Sequence, residues 1–362
     1  MLNLIKWEFK KLFDKKMIWA ALACLIILTI SVSGGSSFYA NSTVYGKGEN
    51  TVYSHEAVKK NLEINEKYKG VMTDEKVKQI IEDYNLSYKI EKIKAGDTGY
   101  EISYMTEYEH NIATSFAMSL IDENGDVRSV DTLTQNEKPL IFGFADGYIE
   151  CFYDIGMATL FIAIILIVLC SPVFADEISS KTDRIILSSK YGKNKVATAK
   201  CITMLLVTAA MFIISCSIIM FQNFISFGFE GANVSASAVI PGISLNQSVF
   251  SLMIVQIILC FISLTVTSFI TLLISTKIKA FITLIISTAI FLIPCVIIPK
   301  PGITGAILGF FPSVYIRLIS YISYLPQSCL PVIFIAFGTV SAFIAVICAF
   351  LCHKFFKNHQ VS

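Results

Sequence analysis

The sequence predicts an all-α integral membrane protein. It has six transmembrane helices, an N-terminal interfacial helix, and a large, mainly helical extracytoplasmic domain between spans one and two. Three observations carry this. Apolar residues make up 54% of the 362 and charged residues only 15%, where a soluble domain carries about 25% charged residues. Most of the charges are segregated into the start, residues 47–154, residues 176–200 and the very end. Between them lie six apolar runs free of ionisable side chains, most of them long enough to cross a bilayer. The mean hydropathy is +0.66, and a net charge of +2 raises no field that would draw nucleic acid.

Residues 1–16 set Leu2, Ile5, Phe9, Leu12 and Phe13 on one helical face with Lys6 and Lys10 elsewhere. That is the pattern of a helix lying in the membrane interface. Residues 17–33 are uncharged and form the first span. A signal peptide is the competing reading. Against it stand the long leading segment, with Glu8 and Asp14, and the lack of a small-x-small cleavage site.

Residues 34–152 form a polar block with 12 Lys/Arg against 20 Asp/Glu. Ser54 to Gly70 reads as a charged helix closed by glycine. Thr73 caps a second helix with Ile80, Ile81 and Tyr84 as its apolar stripe, and residues 123–126 read as a turn. Five more spans follow in the segment 153–362, at about 155–175, 201–225, 249–275, 280–298 and 331–352. Residues 303–325, interrupted by Pro312 and Arg317, read as two short helices dipping into the outer leaflet. The Gly305-x-x-x-Gly309 spacing there allows a close helix contact.

Lysine and arginine in short loops set the orientation. An inside N-terminus places Lys6, Lys10, Lys11, Lys15, Lys16, Lys181, Arg184, Lys190, Lys193, Lys195, Lys200, Lys277, Lys279, Lys354 and Lys357 in the cytoplasm, leaving Lys300 and Arg317 in the short outer connections. Both termini are then cytoplasmic. Of the ten cysteines, eight fall in or beside apolar runs, where free cysteine acts as a small hydrophobe. Cys151 and Cys329 alone could face an oxidising compartment.

Motifs for chemistry are mostly lacking. There is no G-x-x-x-x-G-K-[ST] loop, so the chain is not expected to hydrolyse ATP. Residue 59, four after His55, is lysine, so His55-Glu56 opens no metalloprotease helix, and no metal is expected in this chain. The spans lack the buried acids and cations that ion-coupled carriers keep. If something moves uphill, its energy enters from outside the membrane.

Residues 176–200 interrupt the spans with a cluster of cations. As a helix, Asp176 to Ser189 would align Ile178, Ile185 and Ile186, with Glu177 and Lys181 paired at i,i+4 beside Arg184. Such an amphipathic helix can dock into a groove of a soluble partner. An ordinary positive-inside loop would need no apolar stripe.

Taken in order, these residues resemble a permease subunit of the ABC transporter type-2 class, as found in bacterial drug, bacteriocin and ion exporters. The likeness lies in Glu8 to Lys11 before the first span, Val173-Phe174-Ala175 ending the second, then Glu177, Thr182, Ile185 to Ser189, Tyr191-Gly192-Lys193 and Ala199-Lys200. The family's usual glycine before the threonine is Lys181 here, and a frequent proline is Lys190. The resemblance implies that 176–200 is a coupling element seated on a cytoplasmic ATP-binding subunit. Its contact residues would be Glu177, Lys181, Thr182, Arg184, Ile185, Ile186, Tyr191 and Gly192. Trp7, Glu8, Phe9 and Lys10 of the interfacial helix would complete the docking surface. It further implies a second permease copy, contact with membrane lipid, ATP and Mg held by the partner, and a place in the cytoplasmic membrane. The runner-up is a peptide-sensing or immunity protein that binds its ligand through the acidic outer block.

Overall fold

The computed structural model describes residues 1–14, 16–35, 54–94, 111–122, 124–133, 139–188, 195–240, 247–297, 308–322, 325 and 329–358. In chain order the helices open with α1 (Leu2–Phe13), α2 (Lys16–Gly34) and α3 (Ser54–Tyr68). After strand β1 (Gly70–Val71) come α4 (Asp74–Asp83), α5 (Ser87–Lys94) and α6 (Ile112–Ser119). Strand β2 (Ile141–Phe142) precedes α7 (Asp146–Cys170), α8 (Pro172–Ser179), α9 (Thr182–Ser188) and α10 (Ala197–Phe227). The chain continues through α11 (Ala236–Val239), α12 (Val249–Ser275) and α13 (Ala280–Val296). A 3₁₀ turn at Pro312–Arg317 then leads to α14 (Leu318–Ile322) and α15 (Leu330–Lys357). Two compact units divide it: Met1–Val32 with Tyr153–Ile219 and Val255–Ser362, and Ser33–Phe152 with Met220–Ile254.

The second unit holds the polar block. Thr73 caps α4 by accepting from the Lys76 amide at 3.4 Å, and Ile80 and Ile81 are buried, as the sequence predicts; Val77 completes the buried face, whereas the expected Tyr84 is only half-buried. Asn111 and Thr114 close a reciprocal capping box on α6. The turn at Asp122 is an Asx turn, with the Asn124 and Asp126 amides donating to Asp122 Oδ1 at 3.0 and 2.9 Å. Strands β1 and β2 pair antiparallel, Gly70 opposite Phe142. Ser235 stitches the 228–240 return to β2, donating its amide to Ile141 O at 2.9 Å and accepting the Ile141 amide at 3.0 Å.

One electrostatic contact joins α3 to α4. Hydrogen bonds from Lys67 and from Tyr68 hold the Asp83 carboxyl below its ordinary 3.8. Burial and the bond to Asp83 push the Tyr68 phenol up. An acid depressed in the folded state contributes stability above its unfolded pKa, and that contribution disappears as pH falls through the folded value. Thermal melts of the full chain should therefore show an α3–α4 contribution lost below about pH 4. Asp83→Asn should remove that part of the acid dependence, and an unchanged profile would contradict the assignment.

The first unit holds most of the residues of the apolar helices. Among the described residues five are long and apolar enough to cross a membrane: Lys16–Gly34, Asp146–Ser179, Ala197–Phe227, Val249–Ser275 and Leu330–Lys357. Ala280–Val296 is a shorter apolar helix that contains Pro294. Large apolar side chains such as Ile27, Ile213, Phe281 and Phe343 stand outward, as hydrocarbon surroundings permit. Hydroxyls tie helices together inside. Thr29 donates to Ser215 at 3.2 Å, and Thr208 pairs with Ser268 at 3.1 Å.

The 312–322 segment is anchored through Tyr315. Its carbonyl accepts from Gln256 Nε2 at 3.0 Å, while its hydroxyl meets Phe337 O at 3.1 Å and Ser341 Oγ at 2.9 Å. Gly156 on α7 lets this segment approach, since a Cβ there would run into the Ile316 carbonyl oxygen. The obstacle is backbone and cannot swing aside, so Gly156→Ala should destabilise the chain by about 1–3 kcal/mol. A detergent melt indistinguishable from wild type would contradict that packing.

Two expectations are corrected here. Asp176 to Ser189 is not one helix: α8 ends at Ser179, Lys181 takes a φ of 57°, and α9 starts at Thr182. Local hydroxyls compete for the backbone, with Ser180 Oγ donating to Asp176 O at 2.7 Å and Thr182 Oγ1 to Glu177 O at 3.3 Å. The Glu177–Lys181 pair therefore does not form, and Glu177 turns inward. The third apolar helix also begins earlier than 201, so Lys200 lies inside it. All ten cysteines are free thiols, Cys151 and Cys329 included.

Candidate functional site: a buried ion cluster beneath the α8–α9 turn

The site begins with an acid on an apolar stripe. Glu8 lies three residues after Ile5 and four before Leu12, which puts all three on one face of α1. That face is covered, leaving Glu8 only 7% exposed. Glu177, on α8, is 3% exposed, and Lys200, in the first turn of α10, is 1% exposed. Three helices thus each bring one ionisable side chain to a common interior point.

Lys200 is the hub. Its Nζ lies 2.7 Å from Glu177 Oε1, 3.3 Å from Glu8 Oε2 and 3.2 Å from the Val173 carbonyl. It also sits 5.4 Å from the centre of the Phe174 ring. Lys11 adds a second cation from α1, bonding Glu177 Oε1 as well. Each buried charge meets an opposite charge, which offsets part of the cost of taking it out of water. Phe174 packs on Phe356 of α15 at 5.2 Å, which fixes the far side of α8. The arrangement joins α1, α8 and α10 into one body.

Beyond this cluster the α8–α9 turn presents an open surface. Lys181, Thr182 and Ser188 are exposed, and Ile185 is 73% exposed. Ile186 is half-buried. On α1, Trp7 and Lys10 are exposed while Phe9 is half-buried. The residues named from sequence therefore separate into an inner set, Glu8 and Glu177, and an outer set, Trp7, Lys10, Lys181, Thr182 and Ile185. Tyr191, Gly192 and the side chain of Arg184 lie outside the described residues. Sequence reasoning missed Lys200 and Lys11 as members of the cluster, counting both as cytoplasmic cations. The available signal was Glu8, whose place on an apolar stripe demands a buried cation.

Among the described residues no three His, Cys, Asp or Glu side chains are placed to hold a metal ion. The long apolar helices, by length and composition, define a multi-pass membrane protein. The chain matches the family model described as ABC-2 family transporter protein over residues 2–324, and it belongs to that family. It is therefore an ABC type-2 permease, a membrane subunit that is normally not catalytic itself. Membership implies association with an ABC ATP-binding subunit. No curated protein and no solved structure matches the chain.

Proposed function

We propose that this chain is the permease of an ATP-driven exporter, receiving mechanical work through α8 and α9 from a cytoplasmic ATP-binding subunit that holds ATP and Mg. The observation that carries the proposal is the buried Lys200–Glu177–Glu8 cluster. Because these ions tie α1, α8 and α10 together, a push on the exposed α9 surface moves the second and third spans as one piece. Ile185 supplies an apolar knob for a partner groove, flanked by Lys181 and Thr182, and α1 completes the docking face with Trp7 and Lys10.

In this reading α13 is the sixth span of the permease. At 17 residues it is about 26 Å long, near the roughly 30 Å of hydrocarbon it has to cross. With both termini in the cytoplasm, α1, α8 and α9 lie on the cytoplasmic side, residues 34–152 are extracytoplasmic, and residues 303–325 dip into the outer leaflet. A second permease copy, identical or related, encloses the pathway across the cytoplasmic membrane.

Co-expression with an ABC ATP-binding subunit encoded beside this chain should yield a complex that survives purification in detergent. Changing the Walker lysine of that partner should abolish hydrolysis and leave the permease bound. Transport of any cargo by vesicles that contain this chain and no ATP-binding subunit would contradict the proposal.

A further inference from the structure

We infer that the lysines gathered at the α12–α13 turn and the end of α15 form a binding surface for an anionic phospholipid, such as phosphatidylglycerol. Lys277 and Lys279 lie between α12 and α13, and Lys354 and Lys357 lie in the last turn of α15. All four are exposed. Packing brings the two pairs together, because Lys277 Nζ stands 4.7 Å from the centre of the Phe355 ring. Elements far apart in sequence thus build one cationic surface.

Among the described residues no carboxylate pairs with any of the four lysines. Residues 231–362 contain neither aspartate nor glutamate. Lys279 is the N-cap of α13, and no acid stands in the first turn of that helix. On α8, which packs against α13, Glu177 is held by Lys11 and Lys200, and Asp176 has a partner of its own. The dipole at the end of α15 supplies about half an elementary charge, far less than the lysines carry. The surface therefore calls for an anion from outside the chain.

The setting selects a lipid. Val249–Ser275 and Leu330–Lys357 are long and apolar enough to cross a membrane, so lysines at their ends lie at the depth of phospholipid headgroups. Exposed apolar side chains adjoin each pair, with Phe281 and Ile282 following Lys279, and Ile347 and Phe350 preceding Lys354. Ammonium groups beside exposed hydrocarbon match a phosphate that carries acyl chains. A soluble acidic surface would match the lysines alone. A zwitterionic lipid fails the charge requirement, since its own amine cancels its phosphate.

The inference rests on the multi-pass membrane class and not on the exporter reading, so it is tested on the permease alone. The full chain would be purified in detergent with equimolar phosphatidylglycerol and phosphatidylcholine of identical acyl chains, and the retained lipid read by native mass spectrometry. At about five-fold for each lysine that meets the phosphate, two lysines predict roughly a 30-fold preference for phosphatidylglycerol. Lys277→Gln with Lys279→Gln, and separately Lys354→Gln with Lys357→Gln, should each cut that preference about five-fold or more. Raising the ammonium acetate concentration should weaken it. Lys78→Gln, at an exposed position of α4, should leave it unchanged. Excess glycerol phosphate should not displace the lipid, because the apolar side chains supply part of its binding. Equal retention of the two lipids by the wild type would overturn the inference. Full preference in both double variants would overturn the location, and displacement by glycerol phosphate would overturn the assignment to a lipid. Double variants that lose the ATP-binding subunit but keep the lipid preference would assign the lysines to that acidic partner instead.

Discussion

Replacing Lys200 with methionine should destabilise the permease by about 3–5 kcal/mol, the range for leaving a buried charge unpaired. Methionine is close to lysine in shape, so the loss would come from electrostatics rather than from a cavity. Glu8 loses the cation that its Oε2 meets, and Glu177 keeps only Lys11, whose side chain is 36% exposed. Two carboxylates would then face each other in an apolar interior. Adding Glu8→Gln and Glu177→Gln to Lys200→Met removes all three central charges. The triple variant should recover most of the lost stability, because isosteric neutral replacement of a buried ion network is often near neutral. Melting in detergent, followed by size-exclusion chromatography, reads both steps. A triple variant no more stable than Lys200→Met would show that packing, and not charge, governs the site.

Ile185→Asp should weaken the ATP-binding subunit's hold by about 2 kcal/mol, the threshold of an interface hot spot, or roughly 30-fold in Kd. Ile185 is 73% exposed, so the change has little to disturb within the permease itself. In a docked complex the aspartate would be forced into an apolar groove without a partner. The two substitutions therefore separate. Lys200→Met acts on stability, whereas Ile185→Asp acts on assembly and leaves the melting temperature of the isolated permease unchanged. A binding isotherm for the purified pair, with an unaltered Kd for Ile185→Asp, would remove α9 from the interface.

The apolar helices were legible because hydrocarbon thickness imposes a length that no other feature of the chain imitates. Lys16–Gly34 and Val249–Ser275 follow their uncharged runs closely. Thr73 and the Ile80–Ile81 stripe of α4 were legible for a different reason, since capping and amphipathicity are local. What escaped was set by local competition or by long-range contact. The hydroxyls of Ser180 and Thr182 broke the expected Asp176–Ser189 helix, and with it the Glu177–Lys181 pair. Lys200 was hidden by the counting rule itself, which sorts a lysine by compartment and not by what it faces. Its partners are 23 and 192 residues away in the chain, separations at which periodicity carries no information. Glu8, an acid on an apolar stripe, was the one local trace of the cluster.

Site-specific photo-crosslinking tests the central claim most directly. A benzophenone amino acid placed at Ile185, in the complex with its ATP-binding subunit, should crosslink to that subunit. The same probe at Phe343, which is 66% exposed on the apolar helix α15, should not. A complex that hydrolyses ATP yet gives no crosslink from position 185 would contradict a work-receiving contact at the α8–α9 turn.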